Sequence, residues 1–402
     1  MPDVVIAGGS VAGCALAALL GRQGIRTTVL ERSTKPDHYK VVCTHFIQAG
    51  ATPVLERLGL AAAMEEAGAV RNGLEVWTDA GWATPRGDTF GYSLRREKLD
   101  PMLRELAAET PNVDVRQGVT VTEVLRDHTG RPSGLGGRTA AGEDVEVRAP
   151  VVVGADGRGS DVARLAGIPG RVQPHGRFGY MAYYEDLPLE AGERRSQMWL
   201  RGRDVLYAFP NDDGLTIAAV FLTKDRLPAF KADKEGEFVR AFDGLSRRPK
   251  LEQATRVSPL IGKIELPNVR RPAARAGIAF VGDAAQASDP VWGVGVGFGL
   301  LSASWLADEI AGPLQAGTDV DPALERYRRR HRRQLALHHL QMSDYARGRG
   351  PNALERTLYR AATRDERTAE LMHDLAARAE PLDRIMRPRR IARAAVVAAV
   401  GR

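Results

Sequence analysis

The sequence predicts an α/β fold built on a buried parallel sheet, with an inserted, mostly antiparallel β-sheet and a C-terminal helical region. Three observations support this prediction. The chain opens with a strand, a glycine-rich turn, a helix and a second strand, all within residues 3–32. The β-branched run at residues 151–153 is typical of a strand buried on both faces. Over residues 178–222 the pattern changes to paired strands, with a turn sequence at residues 211–214.

The opening unit has the spacing of a Rossmann-like dinucleotide site. Gly8 permits a tight turn after the first strand, and Gly13 lets the following helix pack close to the sheet. Ser10 stands where the usual fingerprint has a glycine, and its hydroxyl can donate a hydrogen bond. The helix N-terminus directs its free amides at a pyrophosphate. Glu31, at the end of the second strand, is placed to accept a hydrogen bond from a ribose hydroxyl.

Composition is that of an ordinary globular protein. The 402 residues exceed one typical core, which predicts two domains or one domain with an insertion. The apolar stretch at residues 4–20 contains glycines and follows the acidic Asp3, so we interpret it as part of the βαβ unit, not as a signal peptide. No other apolar run is long enough to span a bilayer.

The cysteines and the distribution of charge predict the cellular compartment and the classes of binding partner. Cys14 and Cys43 cannot form a disulfide framework or a metal site, and they suit a reducing cytoplasm. Much of the net charge of +7 lies in arginine clusters at residues 328–333 and 387–390. We interpret these clusters as solvated helix faces and expect no nucleic-acid partner.

The remaining elements follow in chain order. The patterns predict a helix ending near residue 60, a hairpin over residues 73–82 and an amphipathic helix after Arg95 and Arg96. Strands are predicted over residues 113–124, 143–147 and 276–281, and a glycine-rich turn at residues 154–160. A loop at residues 289–299 opens a helix over residues 300–310, and charged helices follow from about residue 321.

Three separated segments resemble, in this order, the flavoprotein monooxygenases of the para-hydroxybenzoate hydroxylase fold. They are the opening fingerprint, the Gly-Ala-Asp-Gly segment at residues 154–157 and the Gly-Asp segment at residues 282–283. Flavin-dependent halogenases and geranylgeranyl-reductase-like enzymes share the scaffold. The resemblance spans about residues 1–310 and implies that the nucleotide is FAD.

The resemblance also implies a division of the chain. Residues 1–72, 89–170 and 257–310 would form a discontinuous, Rossmann-like FAD-binding domain. Residues 73–88 and 171–256 would form the substrate-binding β-sheet domain, and residues 311–402 the C-terminal helical region.

The family pattern implies a role for particular residues. It places Gly8, Ser10 and Gly13 at the pyrophosphate, and Asp156 near it in a position that serves both FAD and NAD(P)H. It places Val121 at the adenine and Asp283 at the ribityl hydroxyls. The whole set of cofactor-binding candidates comprises Gly8, Ser10, Val11, Ala12, Gly13, Glu31, Arg32, Cys43, Gln48, Arg96, Val121, Asp156, Gly157, Gly282, Asp283, Pro290, Gly293, Gly295, Val296 and Gly297.

Several positions depart from the family pattern. Cys43 and His45 lie where relatives carry a flavin-contacting arginine, and Gln286 replaces a common histidine. Cys43 is either a reactive thiol or a small buried one, and His45 is either a proton relay or a hydrogen-bonded structural histidine. Trp292 either stacks on substrate or packs in the protein. His45 and Trp292 are the candidates for the catalytic face.

The resulting expectation is an FAD-dependent monooxygenase that hydroxylates or epoxidises an apolar, aromatic or polyketide-like small molecule through a flavin hydroperoxide. Dioxygen is the co-substrate, and NAD(P)H or a partner flavin reductase supplies the electrons. The alternatives are a flavin-dependent reductase, dehydrogenase or halogenase on the same fold. The Trp-x-Trp-x-Ile-Pro signature of tryptophan-type halogenases is absent, since residues 180–184 read Tyr-Met-Ala-Tyr-Tyr. A further alternative is a flavin-holding protein without redox turnover.

Overall fold

The computed structural model describes residues 1–84, 89–190, 195–377 and 387–400, and within them the chain has a mixed α/β fold. The strands, in chain order, are β1 (Val4–Ala7), β2 (Thr27–Glu31), β3 (Phe46–Ile47), β4 (Val70–Thr78), β5 (Gly81–Ala83), β6 (Gly91–Ser93), β7 (Val113–Gln117), β8 (Val119–Arg126), β9 (Pro132–Thr139), β10 (Asp144–Arg148), β11 (Val151–Gly154), β12 (Arg171–Gln173), β13 (Arg177–Glu185), β14 (Arg195–Arg201), β15 (Asp204–Pro210), β16 (Thr216–Thr223), β17 (Thr255–Arg256), β18 (Ile261–Lys263), β19 (Asn268–Arg270), β20 (Ala274–Arg275), β21 (Ile278–Phe280) and β22 (Gln286–Ala287).

Helices pack against the sheets and form the C-terminal region. They are α1 (Val11–Gly21), α2 (Thr52–Arg57), α3 (Leu60–Glu66), α4 (Arg96–Glu109), α5 (Asp161–Leu165), α6 (Leu227–Ala232), α7 (Lys234–Arg240), α8 (Gly295–Gln315), α9 (Asp321–Tyr345), α10 (Ala353–Ala362), α11 (Glu366–Ala377) and α12 (Pro388–Val400). Among the described helices, none combines the length and the apolar character that crossing a bilayer requires.

The central sheet has the strand order β20-β21-β11-β1-β2-β7. Strands β21, β11, β1, β2 and β7 are parallel, and β20 adds an antiparallel edge. Every residue of β1 and β11 is buried. The β-branched runs therefore form the parallel core strands that the sequence predicts.

A ten-stranded sheet carries the antiparallel part of the fold. Its main path is β17-β13-β16-β15-β14-β4-β6-β3, with β18 paired to β13 and β5 paired to β4. Strands β13, β16, β15 and β14 are antiparallel neighbours, and β14 pairs in parallel with β4. The predicted hairpin at residues 73–82 is present as β4 and β5.

Strands β8, β9 and β10 form a separate antiparallel sheet that the sequence predicts only in part. Strand β9 reads Pro-Ser-Gly-Leu-Gly-Gly-Arg-Thr, a composition poor in strand formers. Its glycines are required by packing, because a Cβ on Gly137 would lie 2.5 Å from the carbonyl oxygen of Thr120 on β8. A close approach between strands therefore overrides the local propensity of β9.

The helix after the glycine-rich loop begins earlier than predicted. We expected a loop through residue 299, whereas α8 begins at Gly295. The chain first makes a 3-10 turn over Pro290–Trp292, which ends at Gly293 with φ +60°. Gly293 takes a left-handed conformation, so the direction of the chain changes there and the helix can start two residues later.

The domain boundaries stay a prediction. Strand β18 pairs with β13, so the hydrogen bonding of the ten-stranded sheet continues beyond residue 256. Within the predicted domains, residues 85–88, 191–194, 378–386 and 401–402 lie outside the described part of the chain.

Candidate active site

The three motifs that lie far apart in the sequence meet at the N-terminus of α1. Gly8 has φ +107°, and a Cβ on it would lie 2.6 Å from the carbonyl oxygen of Ala155. A Cβ on Gly282 would lie 3.0 Å from the Cβ of Ala12. The fingerprint therefore packs directly against both the residue 154–157 turn and the residue 282–283 turn.

The turn into α1 has the form of an anion cradle. A Cβ on Gly13 would lie 1.9 Å from the carbonyl oxygen of Gly8, so the helix can approach the turn only with glycine there. No side chain caps the N-terminus of α1, although Ser10 is the N-cap residue, and no acidic residue lies in the first turn. The amides of Val11, Ala12 and Gly13 are therefore available to a phosphate.

Glu31 is buried at the end of β2 and held by the backbone. Its Oε2 accepts a hydrogen bond from the Gly9 amide at 2.7 Å, and its Oε1 accepts one from the Ser33 amide at 2.8 Å. Each carboxylate oxygen has a second lone pair, so the group can still accept a hydrogen bond from a ribose. Arg32, the next residue, is exposed to solvent.

Arg96 faces the fingerprint, and its neighbour Arg95 points elsewhere. The buried Arg96 guanidinium donates to both carboxylate oxygens of Asp100, at 2.5 and 2.8 Å, and to Ser10 Oγ at 3.1 Å. Arg95 pairs with Asp212 instead. Asp100 lies four residues after Arg96 on α4, and this spacing in the sequence is the signal that could have indicated the ion pair.

The segment that carries Cys43 and His45 lies against Arg96. His45 has φ +64° and is buried, its Nδ1 accepts a hydrogen bond from the Arg96 amide at 3.0 Å, and its Nε2 is hydrogen-bonded to the Tyr183 hydroxyl. Because a backbone amide can only donate, Nδ1 is the acceptor of this hydrogen bond. His45 is thus a hydrogen-bonded histidine, and its role in proton transfer stays a prediction.

The Cys43 thiol has an unusual electrostatic environment. Burial raises its pKa, but the hydrogen bond with His45 and the electrostatic interactions with His45, Arg96 and Lys40 outweigh burial and lower it from 9.0 to about 6. Cys14, buried in α1, has its pKa raised to about 12 by desolvation. Cys43 is therefore the thiol with thiolate character at neutral pH.

The loop before α8 is fixed by hydrogen bonds from other elements. Asp289 Oδ1 accepts from the Val291 amide at 2.9 Å, and Gln48 Nε2 donates to the Trp292 carbonyl at 2.6 Å. The buried Tyr207 hydroxyl donates to the Val291 carbonyl. Pro290 begins the 3-10 turn of this loop. These hydrogen bonds fix the conformation of the loop.

The N-terminus of α8 lies beside Asp283. A Cβ on Gly295 would lie 3.9 Å from Asp283 Oδ1, and Asp283 Oδ2 lies 3.7 Å from Lys40 Nζ. No side chain caps α8, and its first turn, which includes Val296 and Gly297, contains no acidic residue. Its free amides and the Asp283 carboxylate therefore border one space.

The side-chain partners of three predicted residues lie outside this group. Asp156 Oδ1 accepts from the Ser160 hydroxyl at 2.7 Å and Oδ2 from the Val162 amide at 2.9 Å, so this carboxylate supports the start of α5. Burial raises the pKa of Asp156. Gly157, with φ +82°, completes that turn, and Val121 lies in β8 opposite Gly137.

An apolar cavity of about 300 Å³ lies between the ten-stranded sheet and helices α10 and α11. The sequence predicts the sheet as a substrate wall but does not indicate that these helices face it. The apolar lining comes from both sides: Leu74, Val76, Met198 and Leu200 on strands, and Leu354, Leu358, Tyr359, Ala362, Ala369, Met372, Leu375 and Ala376 on or beside the helices. Trp292 also lines this cavity.

A second cavity of about 20 Å³ lies beside this one, next to the loop before α8. Leu74, Met198, Trp292 and Ala376 line both cavities. Thr44, Gln48 and Gly293 are among the residues that close the smaller one. The two cavities are therefore neighbours, and the smaller one borders the segments that the sequence predicts for the reacting end of the cofactor.

The charged groups on the cavity wall are already paired. Arg349 forms ion pairs with Asp344 and Glu355, at 2.5 and 2.6 Å, and Glu355 also closes the capping box of α10 with Asn352. His373 lines the cavity from α11, and burial, together with the charge of Arg195, lowers its pKa below 6.5. The lining therefore offers no unpaired carboxylate or arginine from this set, which favours a neutral apolar occupant.

A family model described as an FAD binding domain matches residues 1–342. The chain belongs to this FAD-binding family. The cradle at α1 fits FAD, because the glycines leave room for a diphosphate and the uncapped amides supply its hydrogen bonds.

Similar proteins of known identity include epoxidases and reductases. The chain is 34% identical over 166 residues to squalene epoxidase erg1 of Schizosaccharomyces pombe, a stretch that covers 39% of this chain and only 35% of the yeast protein. It is 21% identical over 358 residues to digeranylgeranylglycerophospholipid reductase of Thermoplasma acidophilum, which covers 84% of this chain and 85% of the archaeal one.

Solved structures with the same fold include a brominase and a monooxygenase. The flavin-dependent brominase Bmp2 superposes with a TM-score of 0.79 at 20% identity, over 94% of this chain and 93% of Bmp2. The p-nitrophenol 4-monooxygenase PnpA of Pseudomonas putida superposes with a TM-score of 0.76 at 19% identity, over 94% of this chain and 98% of PnpA. These likenesses establish the fold of this FAD-binding protein.

Proposed function

We propose that this protein is an FAD-dependent monooxygenase that hydroxylates or epoxidises an apolar small molecule of aromatic or polyketide type. The apolar cavity carries this proposal, because it lies between the ten-stranded sheet and helices α10 and α11 and is lined by Trp292 from the loop that leads into the uncapped N-terminus of α8. Its size is at the lower end of the range of small-molecule sites.

We further propose which residues hold the cofactor. The turn from Gly8 to Gly13 would bind the diphosphate with backbone amides, and Glu31 would accept from the adenosine ribose. Asp283 would accept from the ribityl hydroxyls. The free amides at Gly295 and Val296 would stabilise negative charge on the ring system. Residues 43–48 would cover the ring from the opposite side of the small cavity.

Bound FAD supplies the redox chemistry: it takes up electrons from NAD(P)H or from a reductase and activates dioxygen for transfer of one oxygen atom. The contribution of the chain is binding, orientation and exclusion of water. Gln48 and Tyr207 hold the Trp292 loop against the substrate cavity. The indole of Trp292 then positions an apolar substrate at the open end of the small cavity.

Anaerobic reduction followed by oxygen tests the proposal. We expect the purified protein to bind FAD, to be bleached by NADH, NADPH or a flavin reductase, and to consume dioxygen together with an apolar aromatic substrate. A product that contains one atom from ¹⁸O-labelled dioxygen would support the proposal. A protein that never takes up FAD would contradict it, as would reduced FAD that reoxidises without any oxygenated product across a broad panel of apolar substrates.

Cavity variants separate substrate binding from cofactor binding. Ala376 lines both cavities, so Ala376→Phe should fill part of both and lower kcat/KM at least about tenfold while FAD stays bound. Ala353→Phe, on the exposed first turn of α10, is the matched control and should leave kcat/KM unchanged. Equal activity of both variants would exclude this cavity as the substrate site.

A flavin-dependent reductase is the second candidate, and the likeness to the archaeal reductase over most of both chains favours it. Saturation of a carbon-carbon double bond without uptake of dioxygen would identify this activity. Halogenation would require bromide or chloride in addition to dioxygen, so assays with and without halide distinguish it. Bound FAD that no reductant bleaches would indicate a flavin-holding protein without turnover.

A further inference from the structure

A small antiparallel sheet, β12-β19-β22, presents one polar face with an unusual composition. Residues that pair directly across antiparallel strands point to the same face. The pairs Arg171 with Arg270, Gln173 with Asn268, and Arg270 with Gln286 therefore place two arginines and three amides on one face. None of these five side chains is acidic.

Helix α9 adds further positive charge to this face. Burial lowers the pKa of Arg270, and the charges of Arg332 and Arg171 lower it further, so both of these guanidinium groups lie near that of Arg270. His339 of α9 is buried, and after desolvation the charges of Arg270 and Arg171 lower its pKa to about 4. Within the described part of the chain, the guanidinium groups of Arg171, Arg270 and Arg332 have no ion pair and no hydrogen-bonding partner.

Several buried polar atoms on this face also lack a partner. Asn268 is fully buried, and neither its Nδ2 nor its Oδ1 is hydrogen-bonded; Gln286 Nε2 and His339 Nδ1 are likewise unsatisfied. Leaving a buried donor without a partner costs free energy, so native proteins rarely accumulate such groups without water or a bound species to satisfy them. These unsatisfied polar atoms lie near arginines whose guanidinium groups also lack a partner.

We propose that this face, formed by Arg171, Arg270, Gln286, Arg332 and the neighbouring buried amides, is a binding site for a phosphoryl group. Three guanidinium groups from β12, β19 and α9 supply planar pairs of donors, which match the oxygens of a phosphate. The charge of three arginines favours a multiply charged anion over a carboxylate or a halide. The phosphoryl group belongs either to free orthophosphate or to a phosphorylated cofactor or substrate.

Calorimetric titration of the full-length, FAD-loaded protein tests this site without requiring turnover. The titrants are orthophosphate, NADP⁺ and NAD⁺ in chloride buffers of matched ionic strength. Orthophosphate should bind, and Arg270→Gln should weaken it at least about tenfold, the scale of losing a charge-assisted pair. The exposed Arg171→Gln should weaken binding in the same direction and serves if Arg270→Gln fails to fold. Arg138→Gln, whose side chain is exposed near the end of β9, is the control and should bind as the wild type does.

The two sources of phosphate give different results. Competition by NADP⁺ but not by NAD⁺, lost in Arg270→Gln, would assign the site to the additional phosphate of a dinucleotide. Binding of orthophosphate without competition by NADP⁺ would assign it to free phosphate or to a different phosphorylated molecule. Absence of orthophosphate and NADP⁺ binding, or equal binding by wild type and both site variants, would overturn the proposal. None of these outcomes depends on monooxygenase activity.

Discussion

Individual side chains near the cofactor cradle differ strongly in their electrostatic environment, and the two cysteines show this most directly. The positive charges of Arg96 and Lys40 and the ring of His45 surround Cys43, whereas Cys14 is enclosed by apolar packing. A thiol reacts as the thiolate, so the rate of alkylation follows the pKa. Cys43 is thus the reactive thiol, and Cys14 serves as the unreactive control in the same chain.

We predict that iodoacetamide labels Cys43 and leaves Cys14 unmodified in the folded, FAD-free protein. The labelling rate should rise with pH and reach half of its plateau near pH 6, because the pKa of Cys43 is lowered to about 6. Peptide mass spectrometry measures the site, and the rate is followed from pH 5 to pH 9. Cys43→Ser should abolish labelling. Lys40→Gln removes one positive charge and should move the midpoint upward; a rate that still rises between pH 8 and pH 9 in the wild type would contradict the prediction.

At the scale of the element, the turn from β1 into α1 requires glycine at position 13 for a steric reason. Gly13→Ala would place a Cβ 1.9 Å from the Gly8 carbonyl oxygen, a backbone atom that cannot rotate away. We predict that it destabilises the protein by about 3 kcal/mol or more and abolishes FAD binding. Fluorescence titration with FAD and urea unfolding measure the two effects.

Gly312→Ala is the matched substitution in another helix. Gly312 lies in α8 with no atom within 4 Å of an added Cβ, so alanine should raise stability by up to about 1 kcal/mol through helix propensity alone. The contrast separates a steric requirement from a general intolerance of alanine. Wild-type FAD affinity in Gly13→Ala would show that the turn can rearrange.

The sequence predicts the elements whose pattern is local. The β1-α1-β2 unit, the β4-β5 hairpin and the buried strand β11 form as expected, since each depends on its own residues. Strand β9 and the early start of α8 were not predicted, because close contact between strands and the left-handed Gly293 decide them. In the candidate site, the sequence indicated Arg96 and the Trp292 loop, but not Asp100, Tyr183 or Tyr207, whose positions depend on tertiary contacts.

At the scale of the whole molecule, the C-terminal helices form part of the wall of the apolar cavity. Helices α10 and α11 close the apolar cavity, a role that their own sequence does not indicate because the opposite wall comes from β4 and β14. Helix α9 joins this region to the central sheet, since the buried Tyr327 hydroxyl donates to the Phe280 carbonyl of β21. We expected the arginine cluster at residues 328–333 to form a solvated helix face. Arg328 and Arg329 pair with Glu325 on the surface, whereas His331 is buried.

The buried face of α9 makes the stability of the whole molecule sensitive to acid. His331 packs edge-on against Trp305 and Tyr327, and desolvation, followed by the charges of Arg270 and His339, lowers its pKa from 6.5 to about 4. The unfolded chain therefore binds a proton near pH 6.5, whereas the folded protein does not until about pH 4. This contribution to stability is fully present above pH 6.5 and is lost as the pH falls from 6.5 to 4.

We predict that His331→Phe keeps the aromatic packing and removes this pH dependence. At pH 5 the wild type should have lost about 2 kcal/mol through His331 relative to pH 7, and the variant should retain that amount. Urea unfolding in phosphate-free buffer at both pH values measures the difference, since an anion beside Arg270 would raise the pKa of His331. His128→Phe, in an exposed turn, should follow the wild type. His339, whose pKa is also lowered to about 4, leaves a residual acid sensitivity in His331→Phe. A His331→Phe protein that loses as much stability as the wild type between pH 7 and pH 5 would show that His331 does not contribute to the acid sensitivity of the fold.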